Sequence, residues 1–577
     1  MANTCAKIHV DSRAPEPINI HENISKIRNS AAEKGRRSCF YSSETGIYRS
    51  KHPSVHLPSD PFLDVVSFIL SRNHGGLSAL VDSQSGFSIS YPELRSLVNS
   101  MAAGLHRMGV SQGDVALILL PNSIYFPVIF LGLLSVGAVA ATMNPLSTLS
   151  EIKKQSFDCN VRLAFATPDR VQNLGSTLGI PVIGLPESLN LDSPFRKLIS
   201  SDPKLAPTPR IRQQDTAAVL FSSGTTGGCK AVALTHANFI AMVELFVRFE
   251  ASQYEYPATA NVYLDVLPMY HVYGLSLFVM GLLSLGSTVV VVRKYEVDEV
   301  VRAIDRYGVT HFPVAPPLLV ALTRKAKADK CGLKSLKQVS SGAAPISITC
   351  IQNFVRTFPH IDFIQGYGMT ESTAVGTRGF NTAKLRNYTS VGLLAPNMEA
   401  RVVDLSSGGG GSSLPPTSMG ELWLRGPAIM KGYLNNGEAS KNAVDDDGWL
   451  HTGDIVHFDE DGYLYVHDRL KEMIKYKGFQ IAPADLEAVL MSHPDIVDAA
   501  VTSAQSEEVG EIPVAFVVKK KGSEVSLSQA NVIDFVAKQV APYKKVRRVY
   551  FTKSIPKSAS GKILRKELRN LLITSKI

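Results

Sequence analysis

The sequence predicts an α/β protein with a large N-terminal domain of helix-flanked β-sheets and a small C-terminal domain. Three observations predict it. Apolar helical patterns alternate with short β-type runs such as Val115–Leu120 from about Pro61 to Pro209, and again to about residue 400; such alternation marks sheets with helices on both faces. A chain of 577 residues exceeds what one core serves. Finally, a Gly/Ser/Thr-rich loop follows directly on a buried-type strand, Ala217–Phe221.

Residues 1–60 are polar and rich in Pro and Ser, with Ile47–Ser50 as an ordered-looking patch, and are read as an N-terminal extension. Residues 61–469 form the large domain and residues 470–577 the small one, the boundary falling near Asp468–Lys471. Ser406–Ser418 (SSGGGGSSLPPTS) lies between two β-type runs, Ala400–Val403 and Glu421–Leu424. A hairpin turn is favoured there over an interdomain linker. Leu275–Val292 splits into a buried helix and a β-strand with a break at Gly286-Ser287, and Pro127–Met143 is closed by Asn144-Pro145. Neither makes a convincing span of about 17–25 residues, so a soluble protein without a transmembrane segment is expected.

Apolar residues make up 45% of the chain and charged residues 19%, ordinary globular proportions. The net charge of +9 is spread out except at Lys544–Arg548. Nucleic acid is not an expected partner, because no basic stripe with interleaved aromatics is present; anionic small molecules account for the balance. The six cysteines lack CxxC spacing, so neither a zinc site nor a disulfide framework is expected.

Chemistry concentrates first in Ser222-Ser223-Gly224-Thr225-Thr226-Gly227-Gly228-Cys229-Lys230. Glycines let backbone N–H groups approach an anion, hydroxyls add donors, and Lys230 brings a full charge. This is a polyphosphate cradle, with ATP as the expected ligand. The kinase-type P-loop requires Ser or Thr directly after the lysine, and Ala231 stands there. Further along, Gln365–Glu371 (QGYGMTE) sets two glycines around an aromatic before a hydroxyl and a carboxylate. Such a turn passes an adenine across its backbone while Glu371 reaches a cation. Thr452-Gly453-Asp454 places a carboxylate after a tight turn, suited to two ribose hydroxyls. Asp468–Lys471 and Lys475–Phe479 supply four cationic groups, and Pro556–Lys562 sets a lysine on a flexible loop.

In this order the segments resemble the adenylate-forming acyl-CoA synthetases, and within them the plant 4-coumarate–CoA ligases and their peroxisomal relatives, with firefly-type luciferases nearby. The likeness runs from about residue 45 to the end and includes LPMYHVYGL (267–275), SGAAP (341–345), GWLHTGD (448–454) and DRLKEMIKYKGFQIAP (468–483). It implies a β-barrel-like subdomain in the large domain and a mobile α+β C-terminal domain. It also implies that Ser222, Ser223, Gly224, Thr225, Thr226 and Lys230 hold the ATP phosphates. Gln365, Gly366 and Thr370 would line the adenine and α-phosphate, with Glu371 catalytic and bound to Mg²⁺. Asp454 would take the ribose, assisted by Arg469, and catalytic Lys562 would bridge the carboxylate and α-phosphate. Tyr273, Ala343, Lys471 and Lys475 would meet the acyl-adenylate, Lys471 also marking the hinge. Lys294, Lys477 and Gly478 match positions that contact coenzyme A.

The implied acyl pocket adds Leu277, Gly368, Thr373, Ala374 and Val375, and His271 either gates it or packs in the core. The reaction implied joins a carboxylic acid to CoA through an acyl-adenylate, releasing AMP and diphosphate. The acid would be a phenylpropanoid, benzoic or cinnamic acid, a fatty acid, or a jasmonate precursor. Cys229 and Ala231 replace a usual proline and glycine, and Ser372–Val375 departs from the coumarate enzymes' Ala-Gly-Pro-Val, so hydroxycinnamate specificity does not carry over. Two other readings stand beside the ligase: adenylation followed by oxidation, as in luciferases, and a non-catalytic binder. Ser575-Lys576-Ile577 differs from the peroxisomal Ser-Lys-Leu only in side-chain branching. It points to a peroxisomal import receptor and the peroxisome, with the cytosol as the alternative.

Overall fold

The computed structural model describes residues 40–574 except 76, 187–192, 223–228, 255, 330, 382–385, 405–410, 477–478, 507–509, 523–526, 541 and 559–560. Among these residues the strands form four sheets. The first has Val182–Gly184, Val161–Ala166, Val115–Leu119, Val139–Thr142 and Thr216–Ser222 side by side and parallel, with Lys230–Thr235 and Gly432–Tyr433 added antiparallel at one edge. The run Val-Ala-Leu-Ile-Leu at 115–119 is apolar throughout because helices cover both faces of a parallel sheet.

The second sheet carries six parallel strands at its centre: Ser78–Asp82, Thr288–Val291, Val262–Asp265, His311–Val314, Gln338–Ser341 and Asp362–Tyr367. The helix–strand reading of Leu275–Val292 holds. A wide helical turn Leu275–Gly281 runs into Leu282–Leu285, and the strand follows Gly286, whose φ of +80° ends the helix. Among the described residues no helix is long and apolar enough to cross a membrane.

The third sheet is antiparallel: Tyr41–Ser42, Ile47–Arg49, Glu399–Val403, Gly420–Arg425, Leu450–Phe458 and Leu464–Arg469. It occupies the place of the expected barrel-like subdomain. Val403 pairs with Glu421, so the low-complexity stretch is a hairpin connection rather than a linker; residues 405–410 lie outside the described residues. The patch Ile47–Ser50, read within a polar extension, is part of the fold. Arg49 pairs with Glu399, and Tyr48 is 1% exposed, its ring stacked on Phe458 at 4.5 Å. Tyr48 belongs there because its hydroxyl still reaches a partner, the Leu414 carbonyl at 2.8 Å.

The turn Leu470–Glu472 leads out of this sheet into a fourth, of Phe479–Ile481, Ile474–Tyr476, Gly510–Lys519, Ile496–Ser506 and Arg548–Phe551, which has its own apolar core around Leu486, Val501, Val517 and Val532. Its ends are tied by charge. Arg565 donates to Glu472 and to Glu487, both at 2.7 Å, and its Nε to the Val501 carbonyl at 2.9 Å. On the other side of the turn, Asp468 Oδ2 accepts from the Ala484 backbone N–H at 3.0 Å.

Buried histidines set the acid limit of this fold. Burial lowers His52, His236 and His271 from 6.5 to about 4, the Lys562 charge adding to the effect at His271. His236 is locked in, its Nδ1 accepting from the Val65 N–H at 3.2 Å. Because the folded pKa lies below the unfolded one, the stabilisation is complete above pH 6.5 and is lost as pH falls toward 4. Each group contributes about 2 kcal/mol of that loss by pH 5. The melting temperature is expected to fall steeply between pH 7 and pH 5, and His236→Gln should flatten that slope; an unchanged slope would contradict it.

Candidate active site

The Gly/Ser/Thr-rich segment connects two paired strands, Ser222 lying opposite Lys230 in the ladder. Ser223, Gly224, Thr225 and Thr226 lie outside the described residues. At the loop's base Ser222 Oγ donates to Glu371 Oε1 at 2.8 Å, and the Tyr433 hydroxyl donates to the same oxygen at 3.1 Å. The Lys230 ammonium sits 4.6 Å from the centre of the Tyr433 ring. Tyr433 therefore joins Lys230 to the Glu371 carboxylate. No local motif announces it: it arrives because the short strand Gly432–Tyr433 pairs with Val232–Ala233.

Glu371 is 5% exposed, and the Met430 N–H at 2.8 Å holds its backbone carbonyl. Among the described residues no cluster of three metal-ligating side chains exists. A lone carboxylate beside a polyphosphate loop still fits Mg²⁺, which binds through one or two carboxylates with phosphates and water completing the shell.

Gln365 and Gly366 occupy the end of the strand Asp362–Tyr367, Gln365 Nε2 donating to the Tyr388 carbonyl at 2.7 Å. After it Thr370 opens a tight turn, and Thr373 and Ala374 follow with φ of +51° and +65°. A β-branched residue is costly there. Thr373 is held by its hydroxyl, which donates to the Ala428 carbonyl at 2.7 Å. The same doubling back brings the Ala374 carbonyl to 2.2 Å from where a Cβ on Gly368 would stand, so only glycine fits. Ala343, in the SGAAP loop, is also left-handed, at +69°.

Asp454 does not follow a tight turn, as its Thr-Gly-Asp setting suggests, but lies inside the strand Leu450–Phe458, which Gly453 kinks with a φ of +70°. The kink is tolerated because the Gly453 N–H donates to Glu421 Oε1 at 3.0 Å and the opposing ladder shifts register. Asp454 lies opposite Arg469, 3.4 Å from its Nε, and accepts from the Tyr367 hydroxyl at 2.6 Å. Burial raises its proton affinity, while Arg469, the Tyr367 hydrogen bond and Lys562 act against that.

Lys562 comes from the small domain. Its hairpin closes through the Lys562 N–H on Ser558 Oγ at 3.1 Å and the Ser558 N–H on the Lys562 carbonyl at 2.8 Å. Gly561 lies flat against the large domain: with φ of +82°, a Cβ there would stand 3.0 Å from Pro317. The lysine's charge reaches both Asp454 and His271. His271 caps the turn Val272–Gly274, its Nδ1 accepting from the Tyr273 N–H at 3.4 Å. Tyr273 follows, its ring 3.6 Å from a Cβ position on Gly342.

The described contacts form two groups: Ser222, Lys230 and Glu371 gather around Tyr433, and Asp454 and Arg469 meet Tyr367, within reach of the charge of Lys562 from the small domain. Lys294 does not join them through any described contact; it is exposed and ion-paired with Glu296 at 3.4 Å. Lys477 and Gly478 lie outside the described residues, as do the side chains of Lys471 and Lys475.

The AMP-binding enzyme model matches residues 70–434, and the model of that enzyme's C-terminal domain matches residues 485–562. The chain belongs to the AMP-binding enzyme family. A relative from Arabidopsis thaliana named 4-coumarate–CoA ligase-like 6 is 60% identical over 93% of this chain and 95% of its own. Another from that plant, named peroxisomal OPC-8:0-CoA ligase 1, is 44% identical over 93% of this chain and 98% of its own. In fold the chain matches the ATP-bound crystal structure of MatB from Rhodopseudomonas palustris, with a TM-score of 0.80 at 24% identity, covering 89% of this chain and 99% of that one. Within the AMP-binding family the chain is an acid–thiol ligase by class, related to the 4-coumarate–CoA ligase-like proteins.

Proposed function

We propose that this enzyme joins a carboxylic acid to coenzyme A through an acyl-adenylate, consuming ATP and releasing AMP and diphosphate. The observation that carries the reading is the packing of Gly561, in the small domain, against Pro317 of the large one, which sets the adjoining Lys562 so that its charge is felt at Asp454 and His271. A carboxylate is a poor nucleophile toward ATP because both are anions. A site that joins them supplies positioning and charge neutralisation rather than covalent catalysis. Lys562 draws the carboxylate and the α-phosphate together. Asp454 accepts from the ribose hydroxyls, with Arg469 holding its carboxylate. Gln365, Gly366 and Thr370 line the adenine side. Lys230 and the loop hydroxyls meet the phosphates. Glu371 would hold Mg²⁺, which neutralises the departing diphosphate.

The CoA thiolate then displaces AMP. Lys562 obstructs that second approach while it remains in place, so the small domain must turn about Lys471 and bring Lys475, Lys477 and Gly478 forward. The boundary is accordingly drawn between residues 469 and 470. His271 is kept neutral by burial, and its hydrogen bond to the Tyr273 N–H makes it a support for the acyl wall rather than a base.

The acid belongs to the phenylpropanoid, benzoic, cinnamic, fatty or jasmonate-precursor classes. The peroxisome is the compartment favoured by likeness to the peroxisomal relative; Ser575–Ile577 lie outside the described residues. ATP–diphosphate exchange across a panel of these acids, repeated with CoA and mass detection, tests the reaction. One responding class with its thioester is expected. Exchange without thioester would overturn the ligase in favour of an oxidative or adenylate-only reaction, and no exchange with any acid would overturn catalysis.

A further inference from the structure

The two halves of the candidate site stand on different sheets. Strand Thr216–Ser222 belongs to the first sheet and pairs there with Val139–Thr142, Leu220 lying opposite Thr142. Strand Val262–Asp265 belongs to the second, and the segment after it runs through Leu267 to His271 and Tyr273. That segment lies beyond the sheet ladder, so its backbone groups need partners from elsewhere. Two side chains on the first sheet's side supply them. Asn122, three residues past strand Val115–Leu119, donates from Nδ2 to the Leu267 carbonyl at 2.9 Å and to Asp265 Oδ1 at 3.2 Å. Its Oδ1 accepts from the Met269 N–H at 2.9 Å. Thr142 Oγ1 donates to the Tyr270 carbonyl at 2.7 Å.

These contacts are buried, Asn122 being 7% exposed and Thr142 1%. The segment they hold has no slack. The His271 N–H donates to the Pro268 carbonyl at 3.0 Å, and the Leu275 N–H to the His271 carbonyl at 2.9 Å. A Cβ on Gly274 would stand 2.3 Å from the Pro268 oxygen. A knot this tight moves as one piece, so whatever sets Leu267–Tyr270 also sets His271 and Tyr273. Burial holds the Asp265 carboxyl well above the usual carboxylate range, so Asn122 meets a neutral acid and the clamp needs no charge. Adenylation depends on such alignment: the reacting atoms must come within about 3–3.5 Å, and a misplacement of about 1 Å costs about 100-fold.

We infer that Asn122 and Thr142 are positioning residues for adenylation: they stitch the segment carrying His271 and Tyr273 to the sheet carrying Ser222, and so align the acid's carboxylate with the α-phosphate. The inference rests on the ligase reading and adds two residues to it. Both act through the backbone of the segment rather than on the reacting atoms. Once the acyl-adenylate exists, its own covalent bond joins acid to phosphate, and the stitches are no longer needed for that alignment.

The experiment uses the full-length enzyme with an acid that supports ATP–diphosphate exchange, and measures that exchange beside thioester formation from supplied acyl-adenylate and CoA. Thr142→Val keeps the shape and deletes the donor to Tyr270. It is expected to lower kcat for exchange about tenfold or more, while the ATP KM and thioester formation stay within about threefold of wild type. Thr142→Ser restores the hydroxyl and should recover exchange to within about threefold. Asn122→Ala deletes three contacts at once and should lower exchange about 100-fold, with a lower melting temperature; the Thr142 variants decide the matter whether or not it folds. Exchange unmoved by Thr142→Val, equal losses in both half-reactions, or no recovery in Thr142→Ser would overturn the proposal and leave the ligase intact, equal losses being what a merely structural role produces. A wild type that exchanges with none of the acids overturns the ligase reading and this one together.

Discussion

Replacing Lys562 with alanine should lower acyl-adenylate formation by about 100–1,000-fold, the loss expected when a single charged group stops neutralising a transition state. Thioester formation from supplied acyl-adenylate and CoA should change less than tenfold. The asymmetry follows from where the lysine stands. It belongs to the small domain, and its charge reaches Asp454 and His271 in the large one. The hairpin that presents it is built from its backbone and Ser558, which alanine leaves in place. Melting temperature should therefore hold within a degree or two. Single-turnover assays of each half-reaction check the result. Equal losses in both would remove Lys562 from the role given to it.

Asp454→Ala should behave differently, weakening both half-reactions together through the nucleotide they share. Two charge-assisted hydrogen bonds to a ribose, at about 1.5–3 kcal/mol each, correspond to a rise in the ATP KM of about 100-fold or more. Stability should suffer too, because Asp454 is 6% exposed and two groups point at it. Its loss strands the Tyr367 hydroxyl, 2.6 Å away, and leaves Arg469 without its ion pair. Asp454→Asn keeps the Tyr367 contact and should recover most of the stability but little of the affinity. ATP titration and thermal denaturation of both variants separate these effects. An unchanged ATP KM in the alanine variant would show that the carboxylate does not hold the ribose.

The candidate site residues legible in the sequence are those whose chemistry is local. The loop at 222–230, the Gln365–Glu371 turn and the Lys562 hairpin each contain their own donors, glycines and charges in one stretch. Parallel strands were legible for a similar reason, since burial on both faces leaves an unbroken apolar run such as Val115–Leu119. Residues that matter through pairing across the fold were not legible. Tyr433 reaches Glu371 only because a two-residue strand is added at a sheet edge. Glu250 and Arg378 are 128 residues apart and meet inside the protein; nothing near either announces the other. Asp454 was read as following a tight turn but lies inside a strand, because a glycine inside a strand reads the same as one that ends it.

The tether of Arg565 to Glu472 and the grip of Ala484 on Asp468 leave very little chain free between them. Both ends of the Leu470–Glu472 turn are thus held by the small domain, Asp468 through Ala484 and Glu472 through Arg565. A rotation of the kind proposed has to release the Ala484 hydrogen bond before Arg469, Leu470 and Lys471 can serve as its axle, which makes that single bond the latch of the movement.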